Sequence, residues 1–198
     1  MISDTAAPYT ILLPPGWVRM RVDESIQERF DALIDDVARR APKDRQTPLR
    51  SLLGRTAQHA IDTARDRGAL DVIVSLASVD DLPIPVSIAT FSVPPPASDG
   101  RSPLEMLVGL ANAGSRAIEI DGLAAIRRSV DVPATDDAPA YRTVSYVCHV
   151  PWLEEWLLFG ASILTSDEPG FDEVLNALES LIDAMMSTVR FRREEGDA

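Results

Sequence analysis

The sequence predicts an α+β fold: a mostly antiparallel sheet of about six to seven strands with helices on both faces, an α/β/α sandwich. Three observations carry this reading. Strand candidates come in hairpin pairs rather than alternating singly with helices, which favours an antiparallel sheet over a doubly wound parallel one. The segment from Glu155 to Thr165 is apolar in both directions, with Trp156, Leu158 and Leu164 one way and Leu157, Phe159 and Ile163 the other. A strand apolar on both sides must be covered on both sides. The chain has 198 residues, 45% hydrophobic and 25% charged, and is long enough to bury a core without a metal or disulfide.

Element by element, Tyr9 to Leu13 is the first strand candidate, stopped by Pro14-Pro15-Gly16, and Trp17 to Val22 is the second. Ser25-Ile-Gln-Glu28 fits a capping box, opening a helix whose apolar positions are Ile26, Phe30, Leu33, Ile34, Val37 and Ala41. Pro42 stops it. Thr47-Pro48 starts a second helix, which Gly68 closes. Leu70 to Ser78 and Pro85 to Val93 read as an antiparallel pair joined through Asp80-Asp81-Leu82-Pro83.

After the loop at 94–100, Ser102-Pro103-Leu104-Glu105 is another capping box, opening a helix with Leu104, Leu107, Val108 and Ala111 on its apolar face. Ala117 to Ile120 and Leu123 to Val132 form a hairpin turning at Asp121-Gly122. Tyr141 to Val150 and Glu155 to Thr165 are the clearest strands. Phe171 to Val189 is the last helix, with Val174, Leu175, Leu178, Ile182 and Met185 in register, and a short strand follows at Thr188 to Arg192. No linker or repeat divides the chain. One domain over 1–192, with a two-helix insertion at about 23–68 and a disordered tail at 193–198, is the expectation.

The opening Tyr9-Thr-Ile-Leu-Leu-Pro-Pro-Gly-Trp17 resembles the strand–Pro–x–Gly–Trp start of the Mog1/PsbP-like superfamily. The end is similar too: two long strands, a helix, and Ser187-Thr-Val-Arg-Phe191. The chain looks particularly like the small members of that grouping found in high-GC Gram-positive bacteria. The resemblance implies that sandwich fold and a binding, assembly or chaperone-like role, and it carries no catalytic residues.

Composition excludes several function classes. The net charge of −12 opposes nucleic-acid binding, which rests on a basic patch. Cys148 is the single cysteine, so no intrachain disulfide forms, and a reducing, cytoplasmic setting is expected. The N-terminus has no signal-peptide pattern. The uncharged run from Trp156 to Thr165 is about half the ~20 residues of a membrane span.

Chemistry-bearing motifs are scarce. Cys148 and His149 are adjacent on a strand and point to opposite faces, so they form no dyad. His59 sits at a helix boundary face. No zinc-ligand spacing, phosphate loop, dinucleotide fingerprint or nucleophile elbow occurs, so no cofactor or metal is expected. The acidic pairs Asp35-Asp36, Asp80-Asp81, Asp136-Asp137 and Glu154-Glu155 diverge by local geometry and make poor acid/base partners.

Three surface features remain. Arg127, Ser129 and Asp131 share one face of their strand beside Arg142, as the polar floor of a groove or an ordinary solvent-facing edge. With Tyr141, Arg127 and Arg142 are also the only support for a sheet–helix pocket taking an anionic small molecule. Trp152 and Trp156, rimmed by Glu154 and Glu155 after Pro151, have the form of an interface anchor; the plainer alternative buries Trp156 and exposes Trp152. Asp172, Glu179 and Asp183 share a face of the last helix, either a row for a cation or basic partner or simply a solvated face.

The leading expectation is a non-enzymatic domain binding a protein partner, with an acidic surface favouring a basic one, as a chaperone, adaptor or immunity-type factor. A small-molecule carrier or enzyme is the alternative, and a homo-oligomer through an uncovered sheet face is compatible with either. The acidity is uneven. Residues 167–198 hold nine acids and three arginines, −6 and half of the whole, which leaves room for a local basic patch at 127–142.

Overall fold

Hairpin follows hairpin along the chain, as the pairing of strand candidates requires. The computed structural model describes residues 7–40, 43, 46–47, 50, 61–75, 78–79, 82–84, 86–94, 100–135, 139–166, 168 and 170–193. Strands β1 (Tyr9–Thr10) and β2 (Trp17–Arg21) precede helix α1 (Ile26–Arg40). Strands β3 (Ala69–Ser75), β4 (Ser78–Val79), β5 (Leu82–Pro83) and β6 (Val86–Val93) lead to α2 (Pro103–Asn112). Then come β7 (Arg116–Ile120), β8 (Leu123–Val132), β9 (Tyr141–Val150) and β10 (Glu155–Leu164), followed by α3 (Phe171–Ser187) and β11 (Arg190–Phe191).

Seven strands form one sheet in the order β2-β3-β6-β10-β9-β8-β7, and every neighbouring pair is antiparallel. The fold is therefore α+β, and the two-sided strand β10 lies at its centre. Ile88, Ala161 and Val144 share one face across three strands, as do Thr90, Phe159 and Tyr146. Leu175, Leu178, Ile182 and Met185 of α3 pack on that face, the α3 face. On the opposite face, α1 and the helical residues 61–66 cover β2 and β3 through Met20, Ile26, Phe30, Ile34 and Ile61. Leu107 of α2 meets Ile126 and Trp156 on that same side, the α2 face.

Several local expectations change. The first strand shortens to Tyr9–Thr10 and leaves the main sheet to pair with β11, because the Leu12 N–H donates to Thr188 Oγ1 at 2.9 Å instead of joining a ladder. Asp121, beside it in space, accepts the Phe191 N–H at 2.9 Å. α1 does not open on the expected capping box: Ser25 donates from both N and Oγ to Asp23 Oδ1, at 2.9 and 2.8 Å. The second box forms as expected, with Glu105 N–H donating to Ser102 Oγ at 3.3 Å and Ser102 N–H to Glu105 Oε2 at 2.7 Å. Asp121 and Gly122 turn the β7–β8 hairpin with φ of 50° and 77°, the left-handed pair a type I′ turn demands. Most of the expected helix at 47–68, His59 and residues 194–198 lie outside the described residues.

Candidate functional site

On β8, alternation sends Arg127, Ser129 and Asp131 to the α3 face, and on β9 it sends Arg142 and Tyr146 there. On α3, the four-residue spacing of Glu179 and Asp183 presents both carboxylates to that face. Arg127 is held by both of them, Nη2 to Glu179 Oε2 at 2.5 Å and Nε to Asp183 Oδ1 at 2.8 Å. Arg142 bridges Glu179 Oε1 at 2.8 Å and Asp131 Oδ1 at 2.6 Å. Tyr146 donates its hydroxyl to Asp183 Oδ1 at 2.6 Å.

Electrostatics follow from this geometry. Burial pulls the Arg127 guanidinium down, but its hydrogen bonds to Asp183 and Glu179 outweigh that and hold it above the ordinary arginine range. Arg142 is raised chiefly by Asp131 and then Glu179. Burial pushes Glu179 up, yet Arg127 and Arg142 bring it below the usual carboxylate range. Tyr146 is raised by burial and by its bond to Asp183. The polar strand face and two members of the acidic row are thus two halves of one helix–sheet contact. Asp172, exposed at the start of α3, takes no part.

This arrangement leaves little for an anionic ligand. Both guanidiniums are engaged by carboxylates, and Tyr141, one residue from Arg142, lies on the opposite face in register with Val132 and Leu164. A shallow cavity of about 320 Å³ lies elsewhere, lined by Thr10, Ile11, Leu12, Ser187, Thr188 and Arg190. Among the described residues, no three His, Cys, Asp or Glu side chains gather as a metal site, and no helix is long and apolar enough to cross a membrane.

The tryptophans separate. Trp156 is buried on the α2 face against Leu107 and Ile126, with its ring 5.5 Å from that of His149. Trp152 is half-buried in the short helical turn Pro151–Leu153, where its indole N–H donates to the Arg192 carbonyl at 2.7 Å and Arg193 stacks over its ring. Glu155 accepts from Ser92 on the α3 face, while Glu154 turns the chain with φ of 54°. These four residues do not converge. Cys148 and His149 do point to opposite faces: burial pushes the thiol up to about 12 and lowers His149.

A buried polar cluster escapes any local motif. The Tyr9 hydroxyl and Thr90 Oγ1 are 2.7 Å apart, Arg19 Nη2 meets Asp71 Oδ2 at 2.5 Å, and the Arg19 guanidinium lies 4.0 Å from the centre of the Tyr9 ring. Its members come from β1, β2, β3 and β6. Burial raises the Tyr9 phenol well above its ordinary value.

The α2 face differs from the α3 face in what it leaves bare. Of the eight large apolar side chains exposed among the described residues, six lie on it or on the helix covering it: Val93, Leu104, Val108, Leu110, Val130 and Leu164. The apolar spacing places Leu104 and Val108 in the stripe of α2 with Leu107, but only Leu107 is buried there. The analogous Val174 of α3 is exposed as well. Toward the Leu164 end of the strands, two cross-strand rows form a half-exposed floor. One runs Ala89–Gly160–Ser145–Arg128 and the next Ser87–Ser162–Thr143–Val130. Among the described residues, the nearest atom to a methyl added at Gly160 is the Ala89 carbonyl oxygen at 4.0 Å. Arg128 is the only charged residue of the two rows, and its guanidinium has no ion-pair partner among the described residues.

No family model matches the chain, and no curated protein does either. A solved structure from Bacteroides thetaiotaomicron VPI-5482 is similar at 8% identity with a TM-score of 0.47. The match covers 96% of this chain and 47% of that one, so this chain spans about half its length. No function is carried over from it.

Proposed function

We propose that the chain is a non-enzymatic protein-binding module, of chaperone, adaptor or immunity type, and that it docks its partner on the α2 face. The observation that carries this reading is that six of the eight exposed large apolar side chains among the described residues belong to one layer of the molecule. Single exposed apolar residues are ordinary, but several on one face mark an interaction surface. The resemblance to the Mog1/PsbP-like superfamily, with its binding and assembly modules, accords with it. The net charge of −12 would steer a basic partner toward the molecule, while apolar contact holds it.

Capture experiments with purified variants test the reading. The wild-type chain and Val174→Glu, altered on the outer side of α3, are expected to retain one protein in stoichiometric amount from native lysate. Leu104→Glu/Val108→Glu is expected to lose it. Equal capture by all three, or capture by none, would overturn the proposal.

A further inference from the structure

β8 has ten residues and β7, its hairpin partner, only five. Their pairing stops where Arg116 meets Arg127, and β8 runs on through Val132 with β9 on one side only. The two-residue turn makes Ile120 and Leu123 a hydrogen-bonded pair, so Leu123, Ala125 and Arg127 direct their backbone groups to β7. The even-numbered carbonyls face the other way: Ala124 accepts from Cys148 Sγ and Arg128 from Ser145 Oγ, both on β9. By the same alternation Ser129 and Asp131 turn their N–H and C=O groups outward, where β7 no longer reaches. Both residues are exposed, and among the described residues none of these four groups has a hydrogen-bond partner.

The opposite edge of the sheet is blunted. The Val22 N–H donates to the Leu70 carbonyl, which turns Trp17 and Arg21 outward on β2. There the Trp17 N–H donates to the Pro14 carbonyl at 3.1 Å, and Arg29 donates to the Arg21 carbonyl at 2.5 Å. The free edge of β8 is by contrast a template for another strand. A second β8, antiparallel about a dyad through Val130, matches it residue for residue. Ser129 of each copy stands opposite the partner's Asp131, so outward groups meet outward groups and all four N–H donors find carbonyls. Val130 meets the partner's Val130 on the α2 face, at the close approach of a non-hydrogen-bonded pair. The partner's Val132 lies opposite Arg128, the last position before β7 occupies the edge, and Pro133 ends the strand there.

Charge agrees with this register. Arg116 is exposed and has no ion-pair partner among the described residues. It shares the α3 face with Ser129 and stands two positions along the edge from the partner's Asp131, about 7 Å away by backbone. An arginine side chain spans that distance to the partner's carboxylate, and the contact occurs twice about the dyad. Asp131 is bound by Arg142 within its own copy, yet is 68% exposed and open to a second cation. On the outer edge of β7 the same test fails. Arg116 and Glu119 lie on opposite faces there, so self-pairing of β7 sets neither charge against the other. We infer that the chain dimerises by pairing β8 with the β8 of a second copy, joining two sheets edge to edge in an isologous contact. Five residues a side make a small interface, and the dimer is weak and concentration-dependent. The pairing uses the edge of β8 rather than the apolar surface of α2, and holds whether or not that surface takes a partner.

Sedimentation velocity of the purified full chain, from about 1 µM to about 500 µM, tests this, the mass doubling toward the upper end. Ser129→Pro removes an outward N–H but spares the ladder with β9, and is expected to weaken association by about tenfold or more. Ala117→Pro makes the same change on the outer edge of β7 and is expected to leave association unchanged. Arg116→Glu, at an exposed position, sets like charges in place of each ion pair and is expected to weaken association by about threefold or more. In the wild-type chain, amide hydrogen exchange at Ser129 and Asp131 is expected to slow as concentration rises, and at Ala117 and Glu119 to stay fast. A monomer throughout the range overturns the inference and leaves the edge of β8 to an extended segment of another protein. A dimer indifferent to both Ser129→Pro and Arg116→Glu, or one that leaves the Ser129 and Asp131 amides in fast exchange, overturns it equally.

Discussion

The Arg127 guanidinium on β8 and the Glu179 carboxylate on α3 meet at 2.5 Å across the helix–sheet boundary, their side chains 13% and 15% exposed. Fifty-two residues separate them in sequence. Neither would be tolerated so far from water alone, because a buried charge without a partner costs several kcal/mol. Each is therefore the condition for burying the other, and together they fix where α3 sits on the sheet.

Replacing Arg127 tests that dependence. Arg127→Met leaves Asp183 with only Tyr146 and should cost about 2–4 kcal/mol in chemical denaturation. Arg142→Met should cost less, on the order of 1 kcal/mol, because one of its partners, Asp131, is 68% exposed and the other, Glu179, keeps Arg127. Equal losses for the two variants would contradict the network as described.

Acid should unfold the protein in a definite order. The folded-state pKa of His149 is lowered by burial, so its contribution is present above the unfolded value near 6.5 and is lost as pH falls through the folded one. Glu179 is lowered by its arginines despite burial, so its contribution holds above an unfolded value of about 4.3 and disappears below it. Thermal denaturation at a series of pH values should show a shallow decline beginning below about pH 6.5 and a steeper one below about pH 4.3. Glu179→Gln should flatten the second.

The phenol of Tyr9 is fully buried and lies 2.7 Å from the Thr90 hydroxyl. Tyr9→Phe keeps the ring against Phe159 but leaves the Thr90 hydroxyl short of a partner, and should cost about 1–2 kcal/mol. Tyr9→Phe/Thr90→Val, which removes both polar groups, should cost less than the sum of the single changes.

Gly160 sits mid-strand, and a methyl there meets nothing closer than 4.0 Å among the described residues. Gly160→Ala should raise monomer stability by roughly 0.5–1 kcal/mol through the unfolded chain's reduced freedom. Chemical denaturation of the two proteins side by side reads the difference.

Cys148 should behave as a core residue. Its thiol is fully buried and pushed up to about 12 by burial and by the nearby Asp121 carboxylate. Alkylation by a maleimide should be slow in native buffer and complete within minutes in denaturant. Rapid native labelling would mean that α3 opens from the sheet.

The pairing of strands was legible because it depends on local alternation and turn chemistry. Asp121-Gly122 and the Ser102–Glu105 box act within four residues and formed as read. The ion-pair network was legible only as separate halves. Periodicity placed Arg127 with Ser129 and Glu179 with Asp183, but no rule of spacing says that α3 crosses β8. The exposed flank of α2 misled for a related reason: the apolar stripe containing Leu104 and Val108 does not disclose how much of a helix its sheet will cover. Proximity in sequence does not bring Tyr141 to Arg142, because strand alternation sends neighbours apart. The Tyr9–Thr90–Asp71–Arg19 cluster left no signal, since its members come from four strands.

The two-residue pairing of Tyr9–Thr10 with Arg190–Phe191 gives the chain an order of events during its synthesis. The seven-stranded sheet can assemble as hairpins emerge from the ribosome, but α3 and its closing strand arrive after all seven of its strands. Until α3 is free to dock, the hydrophobic α3 face stands uncovered together with the Arg127 guanidinium, whose carboxylate partners both lie on α3. A nascent chain stalled shortly before residue 191 would therefore present a sticky, locally cationic surface that the finished protein never shows, and that interval is when it depends most on the cell's holding machinery.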